Sequence, residues 1–247
     1  MTAPVFLAES LAGTEPGSVV VLTGPEGRHA VSVRRLRVGE EVTLTDGEGA
    51  GAYGTVAALE GKDRLEVSVS EVRTEPAPQP RITVVQALPK GDRGELAVET
   101  MTETGVDAIV PWAASRCVTQ WKGDRGLKAL GKWRATAREA GKQSRRLRFP
   151  RVSDLMTTRQ VAALLTDAAL AAVLHEEGSA PLAATPLPPA GDIILIVGPE
   201  GGVSPDELTA FAQAGAKPYR LGPSVLRTST AGTAATALLS GRTGRWG

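Results

Sequence analysis

Residues 192–207 read DIILIVGPEGGVSPDE. Ile193 to Val197 is an unbroken run of β-branched side chains and leucine, the pattern of a strand buried on both faces of a sheet. Gly198-Pro199-Glu200-Gly201-Gly202 follows as a tight loop in which three of five positions carry no side chain to block the backbone. Ser204 then stands at a helix N-cap, Pro205 at the first helical position, and Glu207 closes a capping box. A glycine loop between a buried strand and a helix N-terminus, at the carboxyl end of a parallel sheet, is where α/β proteins hold ligands. This loop is not a P-loop, because Val203-Ser204 follows its last glycine where that motif needs Lys-Ser or Lys-Thr. Nor does it have the Gly-x-Gly-x-x-Gly spacing of a dinucleotide site.

Strand–helix alternation continues on both sides of this stretch. Ile82 to Leu88 and Val106 to Val110 are predicted strands, the second stopped by Pro111. Between them a charged turn, Lys90-Gly91-Asp92-Arg93, leads to a helix over Glu95 to Thr104, ended by Gly105. Thr157 to Asp167 reads as a helix, and Leu170 to Leu174 as a strand ending at His175-Glu176-Glu177-Gly178. A proline-rich connector, Pro181 to Pro189, precedes the central strand. The helix Pro205 to Ala214 is ended by Gly215 and followed by a short strand, Tyr219 to Leu221. The last helix, Ser229 to Ser240, is rich in Ala, Gly and Thr, suited to close packing within the fold or at a dimer interface. Three strand ends thus offer loops on one side, at 175–179, 198–202 and 222–228, positioned for one shared ligand.

Residues 1–75 read as all-β. Val19 to Leu22 is a short apolar run; Val42 and Leu44 lead to the hairpin signal Asp46-Gly47; Tyr53 to Ala57 returns; Leu65, Val67 and Val69 alternate with polar residues. Strands this short and closely spaced suggest a small barrel. Glu75-Pro76-Ala77-Pro78-Gln79-Pro80 is a stiff connector, so the expected domains are 1–75 and 76–247.

Across 247 residues the net charge is +1, with 42% hydrophobic and 22% charged side chains. No apolar run approaches a membrane span and no signal-peptide layout opens the chain, so a cytoplasmic, membrane-free protein is expected. One cysteine, Cys117, excludes a disulfide framework, and two distant histidines make a metal site a poor expectation. The small net charge conceals an asymmetry: residues 116–151 carry 12 basic and 2 acidic side chains, whereas residues 1–75 carry 7 and 12. Such a patch points to a polyanion; the bland alternative is a solvated basic face. Leu130, Trp133, Ala137 and Ala140 give a helical apolar stripe, while Arg134, Arg138 and Lys142 recur on another face. Arg145, Arg146 and Arg148 follow, guanidinium groups suited to phosphate. Trp112 and Trp121 could stack on bases or be core; Trp133 is assigned to core. In the first domain, Arg34 and Arg37 could touch nucleic acid or pair with surface carboxylates.

The order of Leu88-Pro89-Lys90-Gly91-Asp92-Arg93, Glu103-Thr104-Gly105-Val106, Glu139-Ala140 to Gln143-Ser144-x-Arg146, Val197 to Gly202, and Leu221-Gly222 to Leu226-Arg227-Thr228 is recognisable. It resembles the 16S ribosomal RNA uridine N3-methyltransferases, the ribosomal RNA small subunit methyltransferase E family of the SPOUT class. His29 to Gly39 is similar to that family's PUA-like N-terminal barrel. The resemblance implies an α/β SPOUT domain with a parallel sheet and a trefoil knot, a homodimer, and 16S rRNA or the small ribosomal subunit as partner. It also implies S-adenosylmethionine held by Leu174, His175, Glu176, Gly198, Pro199, Glu200, Gly201, Gly202, Leu221, Gly222, Val225 and Leu226. RNA contacts would come from Arg34, Arg37, Lys90, Arg93, Arg134, Arg138, Lys142, Arg145 and Arg146. The chain departs from the family at Lys142 and Ser229, where Glu is usual, at Ser224, where Arg is usual, and at Thr100, where a lysine is usual.

Chemically, an activated methyl donor needs no metal; the acceptor nitrogen must be aligned and its proton removed. Arg227 is the candidate for stabilising the developing charge on the base. Glu200 either orients Arg227 or accepts the proton, or else only ties up loop amides. The rivals are a non-enzymatic RNA-binding assembly factor and a related methyltransferase acting on a ribose hydroxyl or a transfer RNA.

Overall fold

The computed structural model describes residues 3–247. It contains two compact units, one of residues up to Ala77 together with Gly141–Phe149, the other of Pro78–Ala140 with Pro150–Gly247.

The first unit holds strands β1 (Val5–Leu7), β2 (Val19–Leu22), β3 (Glu41–Thr45), β4 (Ala50–Glu60) and β5 (Arg64–Thr74). They form one sheet in the order β1-β3-β4-β5-β2, antiparallel except for β1 beside β3. Edge strands β1 and β2 share no ladder. On β5 the alternation reads as expected, with Leu65, Val67 and Val69 buried against Phe6, Leu22, Val42, Leu44 and Val56. The stretch around His29 is helical: α1 (Gly24–Arg28) runs straight into a π-helical turn, His29–Val33, which leaves Arg34 and Arg37 exposed.

Residues 141–149 add a further piece to this unit. The Gly49 N–H donates to the Leu147 carbonyl at 2.9 Å, the Phe149 N–H to that of Gly47 at 2.8 Å, and the Thr45 hydroxyl to Leu147 O at 2.9 Å. Leu147 covers Gly51, where a methyl would meet its Cδ2 at 2.7 Å. Lys142 corrects an expectation. It is 6% exposed and its Nζ lies 2.7 Å from Glu26 Oε1, while Glu26 Oε2 accepts the Leu7 N–H. It is a buried tie rather than part of an outward basic face.

The second unit alternates β6 (Arg81–Ala87), α2 (Arg93–Glu103), β7 (Ala108–Trp112), α3 (Gly123–Gln143, its last turn in the first unit), β8 (Arg151–Val152), α4 (Thr158–Leu165), β9 (Leu170–Leu174), β10 (Ala180–Pro181), β11 (Asp192–Val197), α5 (Pro205–Gln213), β12 (Lys217–Arg220) and α6 (Thr228–Arg242). The seven strands are all parallel, in the order β10-β12-β9-β11-β6-β7-β8. Central β11 explains its own sequence: Ile193, Leu195 and Val197 enter one core with Val84, Met101, Trp133 and Leu239, and Ile194 and Ile196 enter the other with Val161 and Phe211. Each such side chain, fully buried, contributes roughly 1.5–3 kcal/mol.

Two boundaries differ from expectation. Pro111 does not stop β7 but sits inside it. Its carbonyl turns outward to the Met156 N–H at 2.8 Å. The missing proline N–H therefore falls on that same outer side, where β8 has already ended, and costs no bond to β6. The proline-rich connector supplies edge strand β10 and a 3-10 turn at Leu182–Ala184. The small side chains of α6 pack within the unit, where Gly232 admits Met101 Sδ and Thr233 Oγ1 lies 2.7 Å from Thr100 Oγ1.

Candidate active site

Strands β12, β9 and β11 are consecutive neighbours and parallel, so their carboxyl ends open on one edge of the sheet. Between the first and last of the three expected loops lies a cavity of about 160 Å³ lined by Leu174, His175, Glu176, Leu221, Gly222, Val225 and Leu226. Its wall also includes Pro223 and Ser224 of the expected 222–228 loop, Ser224 being one of the departures from the family pattern, and Arg220 and Ala231, which the sequence did not single out. Arg220 is the last residue of β12 and read only as part of a strand; nothing in the local pattern marked it. Tyr219 O receives the His175 N–H at 3.0 Å, and the turn after β9 presses on β12 so closely that a methyl on Gly178 would lie 2.7 Å from the Tyr219 carbonyl carbon. The side chain of Val225, 78% exposed, stands at the mouth of the cavity with Leu226 beside it.

The glycine loop is not part of that lining. Gly198, Pro199, Glu200, Gly201 and Gly202 follow the adjacent strand β11, and Glu200 and Gly201 are bonded to other segments instead. Gly202 has φ +73°, which glycine adopts without strain. Arg116 Nη1 donates to Gly201 O at 3.0 Å. Glu200 Oε1 accepts the Lys90 N–H at 3.1 Å, the amide-tying role. The capping box forms as expected: Ser204 and Glu207 bond reciprocally at the start of α5. Glu207 does more. Its Oε1 accepts the Ser115 N–H at 2.7 Å and the Thr158 hydroxyl at 3.2 Å, while Oε2 takes the Ser204 N–H and hydroxyl, both at 2.9 Å. Burial pushes its carboxyl up, but the donors from Ser115 and Ser204 prevail and hold it below the usual carboxylate value. One buried carboxylate thereby fastens the segment after β7 and the start of α4 to the helix that follows the glycine loop.

Arg227 is the N-cap residue of α6 and is exposed; its carbonyl receives the N–H groups of Thr230 and Ala231 at 2.9 Å. Among the described residues its guanidinium has no ion-pair partner, Glu200 included. Gln86 Nε2 steadies the first turn of α6 by donating to Thr228 O at 3.3 Å and to Ala87 O at 3.0 Å.

The basic candidates divide. Arg34, Arg37, Lys90 and Arg145 are exposed and Arg93 is half-buried; Arg146 is half-buried and engaged within the protein. Arg134 is held by Asp154 Oδ1 at 2.8 Å and by Val152 O at 3.2 Å, and Arg138 lies 3.7 Å from Glu139. Trp112 and Trp133 are core, and Trp121 packs edge-on against Trp133 at 5.0 Å, so these three rings are not free stacking platforms. Among the described residues no cluster of three or more His, Cys, Asp or Glu is placed to hold a metal ion.

Comparison with known proteins agrees with this geometry. The RNA methyltransferase domain model matches residues 75–240, and the RNA methyltransferase PUA domain model matches residues 22–70. Ribosomal RNA small subunit methyltransferase E of Mycobacterium bovis is 44% identical over 250 residues, covering 100% of this chain and 94% of that protein. Its counterpart in Bacillus subtilis is 29% identical over 90% of both. The crystal structure of ribosomal RNA small subunit methyltransferase E from Neisseria gonorrhoeae bound to S-adenosyl methionine superposes with a TM-score of 0.86 at 29% identity, over 98% of each chain. A methyltransferase from Legionella pneumophila in complex with the same cofactor gives 0.86 at 27% identity, again over 98% of each. With its cavity at the carboxyl edge of a parallel sheet and full-length likeness to these proteins, the chain belongs to the RNA methyltransferase family represented by ribosomal RNA small subunit methyltransferase E.

Proposed function

We propose that this protein transfers a methyl group from S-adenosylmethionine to N3 of a uridine in 16S ribosomal RNA of the small subunit. The observation that carries the reading is the cavity between the turns after β9 and β12, where Leu174, Leu221, Val225 and Leu226 offer apolar surface beside His175, Glu176 and the open backbone of Gly222. These residues suit a flat adenine with polar edges. The glycine loop and Glu200 would back the same site. When bound, the cofactor supplies a methyl carbon already activated by a sulfonium.

The protein's own residues have two tasks: alignment of the acceptor nitrogen, and management of its proton. Arg227 stands at the N-terminus of a 15-residue helix, so its guanidinium and the helix dipole present positive charge together. Both favour the anion that forms on the base as N3 loses its proton. One oxygen of Glu200 holds the Lys90 amide, and the other is available to orient Arg227 or to accept that proton. Arg227→Ala should lower kcat by about 10²–10³-fold, with calorimetric affinity for S-adenosylmethionine unchanged; full methylation by this variant would remove the assignment. Mapping the modified nucleotide of 16S RNA in a deletion strain tests the target, and modification of a ribose hydroxyl or of a transfer RNA would replace the base reading.

In the same reading, residues 1–75 act as a PUA-like RNA-binding domain and 76–247 as the SPOUT methyltransferase domain, except that Gly141–Phe149 pack with the first unit; the backbone is threaded as a trefoil knot and two copies form a homodimer in the cytoplasm. Family likeness supports these parts, and light scattering tests the dimer. Arg34, Arg37, Lys90, Arg93 and Arg145 are the stronger RNA contacts, since Arg134 and Arg138 share their charge with neighbouring carboxylates and Lys142 is buried.

A further inference from the structure

Helix α3 carries cations on two flanks of its buried stripe of Leu130, Trp133, Ala137 and Ala140. At 100° per residue, Arg134 and Arg138 fall on one flank, and Arg125, Lys128 and Lys132 on the other. The first flank is spoken for by Asp154, Val152 O and Glu139. Lys132 shares a shallow cleft with three carboxylates, Asp92 at the N-cap of α2 and Glu95 and Glu99 on it. Arg125, Lys128, the preceding Lys122 and Arg116 are exposed, and among the described residues none has a carboxylate partner; Asp124 is the one acid in residues 116–128.

This segment is also joined to the candidate active site. Arg116 donates to Gly201 O, the Ser115 N–H is held by Glu207, and the Thr119 hydroxyl donates to Pro89 O at 2.7 Å. Between the cations stand two apolar side chains with little cover, Val118 at 73% and Leu127 at 69% exposure. Uncompensated cations track a phosphate backbone, and exposed aliphatic groups among them give unstacked bases a surface to lie on.

We propose that the segment from Arg116 to Lys128 is the surface that grips the single-stranded RNA leading to the target base, and that the Arg134–Arg138 flank is not. This rests on the methyltransferase reading and adds to it the face of α3 that meets RNA. The test compares two variants of the full chain, Lys122→Gln/Arg125→Gln/Lys128→Gln and Arg134→Gln/Arg138→Gln, with a small-subunit RNA fragment at several salt concentrations and with S-adenosylmethionine by calorimetry. The triple variant should bind RNA about tenfold more weakly. The slope of log affinity against log salt should fall by about 2, near 0.7 per lost phosphate contact on a single strand. Cofactor affinity and melting temperature should stay at wild type, and KM for RNA should rise more than kcat falls. Wild-type RNA affinity and slope in the triple variant, or a larger loss in the double variant, overturns the proposal. A wild-type protein that binds the RNA but methylates nothing sinks the enzymatic reading and leaves this surface standing; one that binds no RNA sinks both.

Discussion

Glu207→Ala is the most exposing test of the scaffold behind the site. The carboxylate is 3% exposed and accepts from four donors, so its removal strips α5 of its capping box and leaves the Ser115 N–H without its partner. Losing half of the capping box costs about 0.5–1 kcal/mol and losing the charge-assisted hydrogen bonds from Ser115 and Thr158 about 1.5–3 kcal/mol, together roughly 3 kcal/mol. At about 2–4 °C per kcal/mol for chains of 150–250 residues, melting should drop by about 6–12 °C at pH 7. Because the folded pKa lies below the unfolded carboxylate value of about 4.3, the wild-type advantage is fully present above that pH. It is lost as pH falls through the folded value. Thermal melts of wild type, Glu207→Ala and Glu207→Gln between pH 7 and pH 3 measure this, with the glutamine variant intermediate at pH 7. A variant melting within about 2 °C of wild type at pH 7, or a gap that widens in acid, would refute the reasoning.

Lys142→Met leaves the half-buried Glu26 carboxylate without its cation and should cost roughly 2–4 kcal/mol in urea unfolding, whereas Lys142→Met with Glu26→Gln should recover most of it. Equal losses in the two variants would mean that the pair contributes little beyond packing. Gly178→Val forces a side chain into the Tyr219 backbone and should weaken calorimetric binding of S-adenosylmethionine at least tenfold; wild-type affinity would detach the turn after β9 from the cofactor. Leu226→Ser, at an exposed position, should leave the melting temperature unchanged while raising KM for the cofactor, and an unchanged KM would place the adenine elsewhere.

The strand Asp192–Val197 and the cap at Ser204 were legible because each is encoded locally: a run that must be apolar on both faces, and a serine three residues before a glutamate. Pro111 misled, since a single residue does not reveal on which side of the strand its missing N–H will fall. Lys142 misled for a related reason. Helical spacing gives an azimuth, and whether that azimuth meets water or Glu26 depends on a residue 116 positions away. Strand order, which brings the turns after β9 and β12 to one cavity and leaves the glycine loop out of its lining, has no local signal. The extra duties of Glu207 were hidden behind its capping role, because Ser115 and Thr158 are distant in sequence.

The return of Gly141–Phe149 to the first unit has a practical bearing on how this protein can be cut. Severing the proline connector near Pro78 should leave two fragments that stay associated, because the downstream piece still carries the strip whose Leu147 carbonyl binds Gly49 and whose side chain roofs Gly51. Transplanting only the first 77 residues into another enzyme would strand Glu26 without its lysine and uncover that roof. A chimera that respects the molecule must exchange both pieces, so the inheritable module is discontinuous in the gene although continuous in space.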